Sequence, residues 1–125
     1  MNAATPELAA FIERYVAMWN EPDPVRRRQK IEELWTTDCA NFTKTMEVRG
    51  HVALEARVRA SYEKWVRDAR CLFRTRNFDI HHGAVRFRWD MADAAGRVIS
   101  AGLEFLLLAP DGRIRKDYQF IEPSA

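Results

Sequence analysis

Hydrophobic positions in the first half of the chain recur with helical spacing. Thr5 followed by Pro6 is a helix start signal, and Asp23 followed by Pro24 repeats that signal for a second helix. Apolar residues three and four positions apart then form one stripe on each of three helices. The stripes are Leu8, Phe11, Ile12, Tyr15 and Trp19; Ile31, Leu34 and Trp35; and Leu54, Val58, Tyr62 and Trp65. Three amphipathic helices are therefore predicted before residue 70.

From Cys71 onward the hydrophobic pattern changes to a period of two, which is typical of strands. The extended runs CLFRTRNFDI, AVRFRWDMA, RVISAGLEFLLLA and RIRKDYQFIE are separated by the turn sequences HHG, DAAG and PDG. We expect CANFT to be a short earlier strand and KTMEVRG to be a loop. The pattern predicts one α+β domain over residues 1–125, with helices packed on a mainly antiparallel sheet.

The strand AVRFRWDMAD has two possible orientations. Phe87 and Trp89 lie on one face of it, whereas Arg88 and Asp90 lie on the other. In the first orientation Phe87 and Trp89 belong to the core, and the charged residues form solvated ion pairs. In the second, Arg88 and Asp90 line a cavity, and the two aromatic residues join Leu106 and Leu108 on the outer face. The alternation by itself permits both.

The next strand is apolar on both faces. Leu103, Phe105 and Leu107 alternate with Leu106 and Leu108. Such a strand needs cover on each side, and the helices supply only one cover. A second copy of the chain is the simplest source of the other, so we expect a homodimer formed through the convex face of the sheet.

Composition and charge narrow the class of partner. The net charge of +2 is too small to indicate a nucleic-acid or membrane partner, and no segment approaches a membrane span. The sequence MNAATPELAAFIERY lacks the apolar segment of a signal peptide. Cys39 and Cys71 are too few and too far apart for a disulfide framework, so we expect buried, reduced thiols and a cytoplasmic protein.

Three segments carry a family resemblance. ELWTTDCANFT, VRGHVAL and VRFRWDMADAAGRVISAGLEFLLLAPDGRIRKDYQF resemble the nuclear transport factor 2-like superfamily in its SnoaL-like branch. The resemblance implies a cone-shaped α+β barrel, in which helices cover a strongly curved sheet around an apolar pocket. The superfamily includes ketosteroid isomerases, polyketide cyclases, limonene-1,2-epoxide hydrolases and proteins that only bind ligands or other proteins. The fold therefore implies several possible functions rather than one.

The resemblance to the epoxide hydrolases suggests a catalytic trio. Those enzymes place an arginine between two aspartates, and the motifs RWD and KDYQF supply Arg88, Asp90 and Asp117 at the matching positions. Asp90 would act as the base and Asp117 as the acid, with Arg88 holding both. We expect a small, largely apolar ligand, with no cofactor and no metal.

Two positions depart from the hydrolase pattern. Phe42 and Lys44 stand where those enzymes orient water with a tyrosine and an asparagine. A non-catalytic module that binds a ligand or another protein therefore remains open beside an isomerase, lyase or hydrolase. In either case the expected pocket-lining residues are Tyr15, Trp19, Trp35, Phe42, Tyr62, Leu103 and Phe105.

Overall fold

The computed structural model describes residues 5–122, so the ends of the predicted domain, 1–4 and 123–125, lie outside the described residues. Three helices precede most of a six-stranded sheet. The helices are α1 (Pro6–Asn20), α2 (Pro24–Leu34) and α3 (Gly50–Ser61), and a π-helical segment (Tyr62–Asp68) continues α3. The strands are β1 (Trp35–Phe42), β2 (Glu47–Arg49), β3 (Leu72–His81), β4 (Ala84–Ala92), β5 (Val98–Leu108) and β6 (Ile114–Ile121).

The predicted helix starts are confirmed. Thr5 Oγ1 accepts a hydrogen bond from Leu8 N at 3.3 Å, and Asp23 Oδ2 accepts one from Arg26 N at 2.9 Å. These bonds satisfy backbone donors that have no partner inside the first helical turn. Within residues 5–122, no helix is both long enough and apolar enough to cross a bilayer.

Two local predictions were wrong. Trp35 begins β1 instead of ending the second helix, and the segment predicted as a loop contains the short strand β2. β2 pairs antiparallel with β1, where Val48 lies opposite Asn41. A strand of three residues is too short to show alternation in the sequence, so only its pairing partner reveals it. Cys39 and Cys71 are buried and free, as expected.

The sheet has the strand order β2-β1-β6-β5-β4-β3. β1 and β6 run parallel, and every other neighbouring pair is antiparallel. The sheet is open rather than closed into a barrel, because β2 and β3 are its two edges. A register shift between Arg76 and Asp79, where Asn77 has a φ of 55°, interrupts the β3–β4 ladder. Such bulges bend a strand.

The structure decides the orientation of the β4 side chains. Phe87 and Trp89 are buried beneath the helices, and they lie opposite Glu104 and Gly102 of β5. Leu106 is fully buried on the same inner face, so the alternative outer patch of Phe87, Trp89, Leu106 and Leu108 was wrong. The outer face instead presents the alternating β5 residues Leu103, Phe105 and Leu107. The inner face forms the core because the apolar stripes of α1 and α3 pack against it.

The end of α1 is fixed to the sheet by one side chain. Asn20 Nδ2 donates to the carbonyl oxygen of Phe73 at 3.1 Å, and Asn20 Oδ1 accepts from Phe73 N at 3.2 Å. This two-point contact satisfies both backbone groups of Phe73, whose ring then lies 6.3 Å from that of Trp19. The aromatic side chains of α1 are therefore held in register with β3.

Gly102 is the position where the packing of β5 is tightest. A Cβ atom there would lie 2.1 Å from the carbonyl oxygen of Phe120 and 2.5 Å from Cζ2 of Trp89. We expect Gly102→Ala to lower the free energy of unfolding by about 1–3 kcal/mol or more, because a backbone atom cannot move away cheaply. Urea denaturation checks this, with Val98→Ala on the same strand as a control that changes stability little. Equal stability of Gly102→Ala and the wild type would contradict the packing.

Candidate functional site

Three polar side chains meet beneath α1 on the inner face of the sheet. Tyr15 Oη donates to Asp117 Oδ2 at 2.5 Å and lies 3.1 Å from Glu104 Oε2. Glu104 and Asp117 are both 0% exposed, and so is Tyr15. We call these three residues the acid cluster. It joins the first helix to two adjacent central strands, since Glu104 lies on β5 and Asp117 on β6.

The number of protons available indicates which carboxyl group is protonated. The Tyr15 hydroxyl has one hydrogen, and the shorter contact assigns it to Asp117. Glu104 can then form a hydrogen bond to Tyr15 only by donating, which requires a protonated carboxyl group. Two buried carboxyl groups this close cannot both be ionised cheaply. The geometry therefore favours neutral Glu104 beside an Asp117 that accepts hydrogen bonds.

Burial also shifts the titration of the cluster. It raises the pKa of Glu104 well above the ordinary value, and the neighbouring charge of Asp117 raises it further. The pKa of Asp117 is raised by burial too, but the hydrogen bond from Tyr15 and the positive charge of Arg57 oppose that rise. The pKa of Tyr15 is raised by burial and then by the two carboxyl groups, so its hydroxyl stays neutral. The cluster thus holds a proton on Glu104, and Asp117 is the carboxyl group that ionises more easily.

A cavity of about 100 Å³ lies next to the acid cluster. We call it the inner cavity. It is open on one side, and its walls come from α1, α3, the π-helical segment and four strands. Its lining includes Trp19, Arg57, Trp65, Phe73, Trp89 and Gln119. Aromatic walls with a few polar groups are typical of a small-molecule pocket.

Three lining residues connect the inner cavity to the acid cluster. The ring of Trp19 packs edge-on against Tyr15 at 6.3 Å, and Gln119 lies opposite Glu104 in the β5–β6 ladder. Burial lowers the pKa of Arg57, whereas its electrostatic interactions with the acid cluster oppose that fall. The cluster therefore lies directly behind the cavity wall.

The structure does not bring the predicted catalytic trio together. Arg88 points to the outer face, where it is 46% exposed and paired with Glu122. Asp90 is buried but lies on the outer face, where it is paired with Arg74 at 2.9 Å, and of the three only Asp117 lies on the inner face. The convergence expected of the three was wrong, because Arg88 and Asp90 share one face of β4 while Asp117 lies on the opposite face of the sheet.

The predicted pocket-lining residues also separate. Trp19 lines the inner cavity, and Tyr15 and Trp35 lie in the adjoining core. Tyr62 instead packs under the guanidinium of Arg27, whose Cζ is 5.0 Å from the ring centre. The remaining three, which are Phe42, Leu103 and Phe105, belong to the outer face, so their placement in the pocket was wrong. Their strands carry apolar residues on both faces, so the sequence pattern did not show which face points towards the core.

Glu104 and Arg57 were missed by the sequence reasoning. Glu104 had a visible signal, because it is the single charged residue in the apolar run AGLEFLLLA. Glu104 and Leu106 are two positions apart in a strand, so both were predictable on the same face. Arg57 had no comparable signal, since its helix also carries Arg59, which is exposed.

Comparison with solved structures identifies the fold. A SnoaL-like family protein from Agrobacterium tumefaciens superposes with a TM-score of 0.85 at 23% identity, covering 95% of this chain and 100% of that one. A Sinorhizobium meliloti structure named for polyketide cyclase activity gives 0.67 at 13% identity, with 88% and 93% covered. A de novo designed protein of the nuclear transport factor 2 fold gives 0.75 at 15% identity, with 98% and 90% covered. No family model and no curated protein matches the sequence.

The chain therefore has the nuclear transport factor 2-like fold that its motifs predicted. Within that fold it is similar to the SnoaL-like branch, and its inner cavity lies between the helices and the curved sheet. At these sequence identities the similarity defines the fold only, and the chemistry has to be inferred from the residues of the site.

The acid cluster predicts a pH dependence of stability. An unfolded glutamate ionises near its ordinary pKa of 4.5, whereas folded Glu104 retains its proton to higher pH. Folding therefore binds a proton in that window, and the Glu104 contribution to stability is complete below the unfolded pKa and is lost as the pH rises through the folded pKa.

We expect Glu104→Gln to flatten this decline, because an amide keeps the shape of the neutral acid and cannot ionise. Urea denaturation at several pH values from 4 to 8 measures the slope. Glu122→Gln, which changes an exposed carboxylate, serves as the control and should retain the wild-type slope. Identical slopes for the wild type and Glu104→Gln would show that Glu104 is ionised in the fold.

Proposed function

We propose that this protein binds a small, largely apolar molecule in the inner cavity and acts on it by acid–base chemistry without a cofactor. The observation that carries the proposal is the buried pair Glu104 and Asp117, whose carboxyl groups both contact the Tyr15 hydroxyl behind the cavity wall. The names of the Agrobacterium and Sinorhizobium structures suggest isomerase and cyclase activity for those proteins, which is chemistry of the same kind.

The proposed roles follow from the proton positions. Asp117 is the base, because it accepts the Tyr15 hydrogen bond and is the carboxyl group that ionises more easily. Glu104 is the acid, because it holds the shared proton. Tyr15 is a positioning residue that fixes the distance between them. Proton abstraction next to a carbonyl and proton return to the oxygen need only these two groups.

A second candidate function is supported by the enclosure of the cluster. Both carboxyl groups are 0% exposed, so a substrate reaches them only if the wall formed by Trp19 and Gln119 moves. Without that movement the cluster is a structural tie, and the protein is a non-catalytic binding module of the same fold.

Deuterium exchange into the methyl group of acetophenone, followed by NMR in D₂O, separates the two functions. Acid–base catalysis predicts exchange above the buffer rate in the wild type and a loss of roughly 100-fold or more in Asp117→Asn. Asp90→Asn removes the aspartate that pairs with Arg74 and is expected to retain the wild-type rate.

Binding of acetophenone without exchange would instead support the non-catalytic module. The variants must first show the wild-type circular dichroism spectrum, since Asp117 is also part of the core. Equal exchange in the wild type and Asp117→Asn would remove Asp117 from the mechanism.

We also propose that the protein forms a homodimer through the outer, convex face of the sheet. Phe42 and Tyr118 stack there at 5.0 Å, and Phe120 beside them is 57% exposed. A groove of about 580 Å³ runs over these three rings. Apolar surface of this kind is rarely left in contact with water on a monomer.

We expect Phe120→Asp to convert a dimer into a monomer, because a carboxylate at the centre of an apolar contact cannot be solvated. Light scattering after gel filtration measures the mass. Leu72→Asp on the edge strand β3, where the side chain is 55% exposed, is the matched control and should leave the mass unchanged. A monomeric wild type would contradict the proposed interface.

A further inference from the structure

Three side chains that line the inner cavity carry buried N–H groups that have no acceptor among the described residues. The buried atoms are Nε of Arg57, Nε1 of Trp19 and Nε1 of Trp89. All three side chains line the inner cavity. They come from α3, α1 and β4, so no single element accounts for their meeting at one place.

Unpaired donors at one site are unusual in a folded core. A buried donor without a partner costs about 1–3 kcal/mol, and native proteins contain only a few such groups per hundred residues. Three donors around one cavity are explained if the cavity takes up a molecule with strong acceptor atoms. An entirely apolar ligand would leave all three unpaired.

Arg57 also brings a positive charge to the cavity wall. Its Nη2 donates to the neutral Oε1 of Gln119 at 3.0 Å, and its guanidinium lies 5.2 Å from the ring centre of Trp19. Among residues 5–122, no carboxylate lies within ion-pair distance of this guanidinium. The nearby Glu104 holds a proton, so the acid cluster leaves part of this charge uncompensated. An anionic group on the ligand would balance the charge of Arg57 and accept hydrogen bonds from the unpaired N–H groups.

The shape of the cavity limits the rest of the ligand. Trp19, Phe73 and Trp89 form a continuous aromatic wall, in which the Phe73 and Trp89 ring centres are 5.5 Å apart. A volume of about 100 Å³ holds roughly seven to ten non-hydrogen atoms at one water-sized sphere per atom. A single flat ring with one acidic group has this size.

We propose that the ligand of the inner cavity is a small planar acid, whose carboxylate binds Arg57 and whose ring packs between the tryptophans. This inference rests on the proposed function only in using the same cavity, and it names the class of molecule that the cavity takes. The carboxylate accepts from Arg57 Nε, and the indole N–H groups of Trp19 and Trp89 supply the other donors. The acid cluster lies behind the ring and plays no part in this recognition.

Calorimetric titration with benzoate and with benzamide tests the proposal. The two probes have nearly the same shape, and only benzoate is charged. The wild type is expected to bind benzoate at least tenfold more tightly than benzamide. Arg57→Gln is expected to lose at least tenfold in benzoate affinity and to leave benzamide affinity unchanged. Arg57→Lys keeps the charge but lacks the Nε donor, so its benzoate affinity should lie between those of the wild type and Arg57→Gln. It also provides the test if Arg57→Gln does not fold.

Arg59→Gln is the matched control, because Arg59 lies two positions later on α3 and is 53% exposed beside Glu55. It should bind both probes as the wild type does. If the wild type bound benzamide as tightly as benzoate, the proposal of an acidic ligand would be overturned. The proposed function would then stand with a neutral ligand. Benzoate binding unchanged in both Arg57 variants would also overturn the proposal of an acidic ligand. Failure of both probes to bind would overturn the planar acid and the use of this cavity together.

Discussion

The hydroxyl group of Tyr15 links the two layers of this molecule through two buried contacts. It comes from the first helix and reaches carboxyl groups on two central strands, all of them closed off from water. Two carboxyl groups and a phenol can share such a site only if protons are distributed among them so that few charges remain. The position of α1 over the sheet and the protonation of Glu104 are therefore one constraint. If Glu104 were ionised, the fold would hold two like charges at its centre.

The same constraint separates the titration of the two carboxyl groups. Desolvation acts on both, but the shorter hydrogen bond from Tyr15 goes to Asp117, and so their pKa values separate. Separation of two neighbouring pKa values is the usual way in which a protein obtains an acid and a base from the same residue type. Arg57, which lines the inner cavity, interacts electrostatically with the same cluster.

The outer face of the sheet is organised by ion pairs and stacked rings instead of a buried polar cluster. Arg88 and Asp90 form ion pairs there with Glu122 and Arg74, and the exposed Arg88–Glu122 pair contributes little to stability. Beside them the aromatic residues Phe42 and Tyr118 stack on the same face. The sheet thus has a charged region and an apolar region on one surface. Such a division suits an interface whose position along the sheet is fixed by charge and whose affinity comes from the rings.

The sequence by itself determined the helices, the four-stranded meander and the α+β class, because these depend on spacing between near neighbours. The nuclear transport factor 2-like fold and the choice of Asp117 came from the family resemblance of its motifs, KDYQF among them. The sequence could not place Arg88 and Asp90, because alternation shows that residues share a face without showing which face is inward. That direction is decided by α1 and by the pairing of Phe87 with Glu104, contacts between residues far apart in the chain. Only the tertiary structure could bring Glu104, Asp117 and Tyr15 to one point, because burial and proton sharing belong to the assembled core and to no single segment.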